Sequence, residues 1–66
     1  MSFLSERLRC GYSQAYVAKK LGVTDAAVSM WEKGKTYPRA QLLPRLAMLY
    51  QCTVEKLLEH DDPAQE

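Results

Sequence analysis

With 66 residues, the chain has room for one domain, near the lower size limit for folding without covalent staples. Two cysteines, Cys10 and Cys52, and a single histidine, His60 in a polar tail, exclude a disulfide framework and leave no ligand set for zinc, so no metal or cofactor is expected. The net charge of +1 conceals a segregation. Residues 1–52 hold eight Lys/Arg against three acids, an excess of +5, and residues 53–66 hold Lys56 against five acids, a net of −4. A basic body with an acidic tail suits a polyanionic partner on one side.

The N-terminus, MSFLSERLRC, is charged from the outset and has no apolar stretch of signal length, and no apolar run approaches a membrane span. A cytoplasmic protein with free thiols is expected. Apolar residues recur at three- and four-residue steps with no sustained strand-like alternation, which predicts helices throughout. Ser2 caps a first helix running to about Cys10, with Gly11 as its left-handed stop. Ser13 caps a second, Gln14 to Leu21, whose Val17, Ala18 and Leu21 share one face while Lys19 and Lys20 point to water. Gly22 stops it, Val23 dips back into the core, and Thr24 caps a third helix from Asp25 to about Lys33, with Val28 and Trp31 on its buried side.

Gly34 ends that helix, and Lys35 to Pro38 form a loop. A fourth helix becomes regular near Gln41 or Leu42 and ends near Tyr50, burying Leu43, Leu46, Ala47 and Tyr50. Pro44 falls in its first turn, where a missing N–H costs no intrahelical bond. Thr53 caps a last short helix whose Val54, Leu57 and Leu58 close the core. The predicted architecture is all-α, five helices around one core over residues 1–60, followed by an acidic flexible tail over 61–66.

The stretch from Ser13 to Lys33 carries the functional information. Two helices joined by a Gly-bearing turn form the unit that places its second helix in a DNA major groove. Ala18 is small where the two helices cross, and Gly22 accepts a positive φ at the turn. Val17, Leu21, Val23, Val28 and Trp31 hold the angle between the helices. Thr24 caps the third helix, and Asp25, Ala26, Ser29, Met30 and Lys33 lie away from Val28 and Trp31. When such a helix docks, residues near its N-terminus meet base edges. Asp25 suits a cytosine amino group, Ser29 bonds either way, and Ala26 and Met30 suit a thymine methyl. Phosphate contacts belong to the helix ends, here Lys33, Lys35 and Thr36 after the third helix and Arg39 beyond the loop.

The residues Gly11-Tyr12-Ser13-Gln14, Val17-Ala18, Leu21-Gly22-Val23-Thr24, Val28-Ser29, Trp31-Glu32-Lys33-Gly34, Pro38, Leu46-Ala47, Val54 and Leu57-Leu58 together resemble the phage-repressor and Cro type of helix-turn-helix domain, the Xre family. The resemblance covers residues 3–58. It implies a compact five-helix, lambda-repressor-like domain, a double-stranded DNA partner, a two-fold homodimer and a role in transcriptional control. By resemblance, Gln14 bonds a phosphate at the start of the second helix, alongside Ser13. The resemblance also implies an ion pair between Arg7 and Glu32 that ties helix 1 to helix 3, and a dimer surface around Gln51, Cys52 and Lys56. Gln51 stands where the family frequently has glycine, so the fourth helix is expected to end on a strained residue.

A competing reading is a protein-interaction module or antitoxin-type partner on the same fold, favoured by Ala26, Ala27 and Met30 on the outward face. An enzyme is not expected. The ordered part offers no His–carboxylate or Cys–His constellation, no phosphate-cradling glycine loop and no small-molecule site.

Overall fold

A computed structural model of the protein describes residues 2–58. The expected tail over 61–66 and the domain boundary at residue 60 lie outside the described residues. Five helices follow one another without strands among the described residues: α1 Ser2–Cys10, α2 Gln14–Leu21, α3 Asp25–Lys33, α4 Leu42–Tyr50 and α5 Val54–Leu58.

Local chemistry explains most of these boundaries. The Ser13 hydroxyl accepts from the Tyr16 N–H at 3.0 Å, and the Thr24 hydroxyl accepts from the Ala27 N–H at 3.1 Å. Thr53 accepts from the Lys56 N–H at 3.1 Å at the start of α5. Each cap satisfies one of the orphan donors of a helix N-terminus. At the other end of α2, Gly22 adopts φ +73°, and its N–H returns to Ala18 and Lys19. The Val23 N–H also closes on the Ala18 carbonyl at 3.0 Å, which turns the chain sharply into α3. α4 starts without a side-chain cap. Its entry is instead a tight turn in which the Leu42 N–H reaches the Arg39 carbonyl at 2.9 Å. It ends on Gln51 in the left-handed region at φ 57°, the only non-glycine residue with positive φ among those described.

The core joins all five helices. Phe3 from α1, Val17, Ala18 and Leu21 from α2, Val28 and Trp31 from α3, Leu42, Leu46, Ala47 and Tyr50 from α4, and Leu57 from α5 are all buried. Two expectations need correction. Leu42 is buried and Leu43 only half-buried, because Leu42 opens the helix and stacks at four-residue steps with Leu46 and Tyr50. Leu58 is 47% exposed. In so short a helix Leu57 sets the buried direction, Val54 lies about 60° from it and Leu58 about 100°.

Glu6 and Glu32 are also buried. Neither is isolated: Arg9 binds Glu6 at 2.7 Å and Arg7 binds Glu32 at 2.5 Å. The Arg9 guanidinium also donates to the Tyr50 carbonyl at the end of α4. α1 is therefore anchored to the rest of the fold by two arginines as well as by Phe3.

Candidate nucleic-acid interface

The two sides of α3 differ sharply. Val28, Trp31 and Glu32 are buried, and Ala27 packs partly on the core. Asp25, Ala26, Met30 and Lys33 are exposed, with Ser29 half-buried between them. At about 100° per residue, positions 25, 26, 29, 30 and 33 span roughly 140° of the helix circumference. This outward arc is left uncovered by the other described residues.

Gln14 begins α2 beside this arc and is half-buried. Its Nε2 donates to Glu32 Oε1 at 2.9 Å. The same carboxylate accepts from Arg7 Nε at 2.5 Å and from Arg7 Nη2 at 3.1 Å. Arg7 Nη1 donates onward to the Tyr12 carbonyl at 2.9 Å. One carboxylate thus ties α1, the Gly11–Tyr12 turn, the start of α2 and the end of α3. Its hydrogen bond holds the Arg7 guanidinium above the ordinary arginine value, against the opposing effect of burial. The paired geometry is the two-pronged arginine–carboxylate arrangement that is both strong and directional.

Sequence reasoning treated Gln14 and the Arg7–Glu32 pair separately, and the structure brings them together. No local signal connects Gln14 to Glu32, which is 18 residues away. Only the angle between α2 and α3 does so. Glu6, and the Arg9 contacts to Glu6 and Tyr50, also escaped the sequence, although a three-residue Glu–Arg spacing on a helix is a usable hint.

Ser13 and Thr24 are exposed, and each hydroxyl already accepts a cap bond. A hydroxyl that accepts still has its proton to donate. Both residues therefore remain available to an acceptor in solvent. Lys33, Lys35, Thr36 and Arg39 are exposed along the end of α3 and the loop to α4. The Lys35 N–H closes on the Met30 carbonyl at 3.0 Å, so this loop leaves α3 in a defined direction.

Burial sharpens the charge segregation. Of the three acids in residues 1–52, Glu6 and Glu32 are buried and ion-paired, which leaves Asp25 as the exposed one. Seven of the eight cations in the same span are exposed, Arg7 being the exception.

The remaining candidates sit elsewhere. Gln51 and Lys56 are exposed and Cys52 is half-buried at the α4–α5 junction, with burial raising the Cys52 thiol above its ordinary value. Both cysteines are free thiols. Among the described residues, no group of His, Cys, Asp and Glu could hold a metal ion, and no helix is long and apolar enough to cross a membrane.

Comparison with known proteins agrees with this geometry. A helix-turn-helix family model matches residues 4–57. The chain is 33% identical over 57 residues to repressor protein C2 of Salmonella phage P22, an alignment covering 86% of this chain and 26% of the repressor. It is 32% identical over 59 residues to the transcriptional activator BcrR of Enterococcus faecalis, covering 86% of this chain and 29% of the activator. A helix-turn-helix-type transcriptional regulator of Archaeoglobus fulgidus is 34% identical over 56 residues, covering 85% of this chain and 80% of the regulator. The chain thus spans between a quarter and a third of the length of the first two relatives. No solved structure matches it significantly.

Proposed function

Because the chain belongs to the phage-repressor and Cro-type helix-turn-helix family, we propose that it is a transcription regulator that binds double-stranded DNA with α3 in the major groove. The observation that carries this reading is the exposed arc of α3, with Gln14, bonded to Glu32, and the exposed Lys33–Lys35 turn both adjoining its C-terminal end. Thr24, Asp25, Ala26, Ser29 and Met30 meet base edges. Asp25 accepts from a cytosine amino group, Ser29 bonds in either sense, and Ala26 and Met30 contact thymine methyls.

Phosphates fix the register. Gln14 spends one amide N–H on Glu32 and keeps the second for a phosphate oxygen. It does so beside the unpaired backbone N–H groups of the first turn of α2, with Ser13 adjacent. Lys33, Lys35, Thr36 and Arg39 hold the other edge of the groove. The protein acts in the cytoplasm as a two-fold dimer formed around Gln51, Cys52 and Lys56, reading half-sites about 34 Å apart.

Fluorescence anisotropy on a mixed-sequence duplex, repeated over a range of salt, tests this reading. The logarithm of affinity falls linearly with the logarithm of salt, by about 0.9 per phosphate neutralised. Lys33→Ala and Lys35→Ala each reduce that slope by about 1. Gln14→Ala, a neutral substitution, weakens binding and leaves the slope unchanged. A flat salt response contradicts the proposal. It would favour a protein-interaction or antitoxin-type role, a reading supported by the apolar Ala26 and the 39% exposure of Met30 on the outward face.

A further inference from the structure

A second surface lies at the far end of α2. Lys20 is six positions after Gln14, about 9 Å further along the helix and about 120° around it. Here α2 and α4 enclose a shallow groove of about 230 Å³, lined by Lys20, Leu21, Arg45, Met48 and Leu49. Its floor is apolar, and Met48 at 80% is the most exposed of the large apolar side chains among the described residues.

Two cations are held at its rim. Arg45 Nη2 donates to the Lys20 carbonyl at 3.2 Å, which ties the guanidinium to the C-terminal turn of α2. The Lys20 ammonium stands 5.6 Å from the centre of the Tyr16 ring. Neither has a carboxylate partner among the described residues, where Glu32 pairs with Arg7 and Glu6 with Arg9. The groove therefore joins an apolar floor to uncompensated positive charge.

Size narrows the class of occupant. Small-molecule sites run from about 300 to 1,000 Å³ and enclose most of the ligand. This groove is smaller and open, with room for one or two apolar side chains. A methionine at its edge adapts to different shapes. An amphipathic helix inserts apolar residues four apart into such a groove while its flanking charges pair at the rim.

We propose that the α2–α4 groove docks an acidic amphipathic helix of a partner protein, its apolar pair on Leu21, Met48 and Leu49 and its carboxylates on Lys20 and Arg45. This inference is independent of the DNA-binding proposal, since it uses none of the residues assigned to DNA.

The test titrates isotope-labelled full chain with two synthetic helical peptides of equal length. Each carries leucines four apart, flanked by glutamates in one peptide and by lysines in the other. The glutamate peptide shifts the amide resonances of Lys20, Leu21, Arg45, Met48 and Leu49 saturably, and the lysine peptide binds at least about tenfold more weakly. Met48→Glu and the pair Lys20→Glu with Arg45→Glu each weaken the glutamate peptide by at least about tenfold. Thermal melts confirm that the variants stay folded, and Met48→Glu leaves duplex affinity unchanged. Equal binding of the two peptides, shifts confined to other surfaces, or indifference to Met48→Glu would overturn the proposal. So would self-association that Met48→Glu abolishes, because the occupant would then be a second copy.

Discussion

Glu32 shows how a single residue links stability to function. It is 7% exposed and accepts three hydrogen bonds, two from Arg7 and one from Gln14. Glu32→Ala leaves the half-buried Arg7 without its counter-charge, a loss of up to about 3–5 kcal/mol, the cost of breaking a fully buried pair from one side. Denaturant unfolding should show that loss. Replacing both partners, as in Arg7→Met with Glu32→Leu, should recover most of the stability. It should not restore DNA affinity, because Gln14 has still lost the group that orients it. A double variant with full DNA affinity would mean that Gln14 needs no such support.

Tyr50 gives a second residue-scale prediction. Burial, with the Glu32 charge adding to it, raises its phenol above the ordinary value near 10, and burial likewise raises the Cys52 thiol above its ordinary value near 9. In both cases the fold favours the neutral form. Their contribution is fully present below those ordinary values and is lost as pH climbs toward the folded ones. The melting temperature should therefore fall from about pH 9 upward, and Tyr50→Phe should flatten the part of the decline above about pH 10. A melting temperature unchanged between about pH 8 and 11 would contradict this.

At the scale of elements, the end of α4 is a clear departure from the usual helix stop. Gln51 occupies φ 57°, where a side chain costs roughly 1–2 kcal/mol. Gln51→Gly removes that cost and adds the entropy glycine loses on folding, about 0.5–1 kcal/mol. The net expectation is a gain of about 0.5 kcal/mol, read as a higher denaturation midpoint with an unchanged slope. A lower midpoint would show that the Gln51 side chain contributes more than its backbone strain removes.

The same elements show what local chemistry reveals and what it hides. Ser13, Thr24 and Thr53 mark helix starts because their hydroxyls cap the nearest free N–H groups, a requirement of local sequence alone. Gly22 and Gly34 mark helix ends for an equally local reason. The phase of α4 at Leu42 and Leu43 and the outward turn of Leu58 depend on which neighbours cover each helix, and no local period encodes that. The capture of Gln14 by Glu32 is tertiary in the same way. The outward arc of α3 was legible because the small core leaves α3 one buried side, which Val28 and Trp31 define.

For the whole molecule, a near-neutral total of +1 is a poor guide to its surface. Two of the three acids in residues 1–52 are buried in ion pairs, leaving six exposed cations outside those pairs against Asp25. Such a surface draws in a polyanion over distances set by the Debye length, about 8 Å at physiological salt. Under the proposed function, recognition then depends on the arc from Asp25 to Lys33, which offers few bidentate base readers. Selection of duplexes from a random-sequence DNA pool with the purified full chain tests DNA recognition most directly. The proposed function requires enrichment of a two-fold symmetric sequence with half-sites about 34 Å apart, one helical turn, weakened on Gln14→Ala. A pool that stays random through repeated rounds would contradict it.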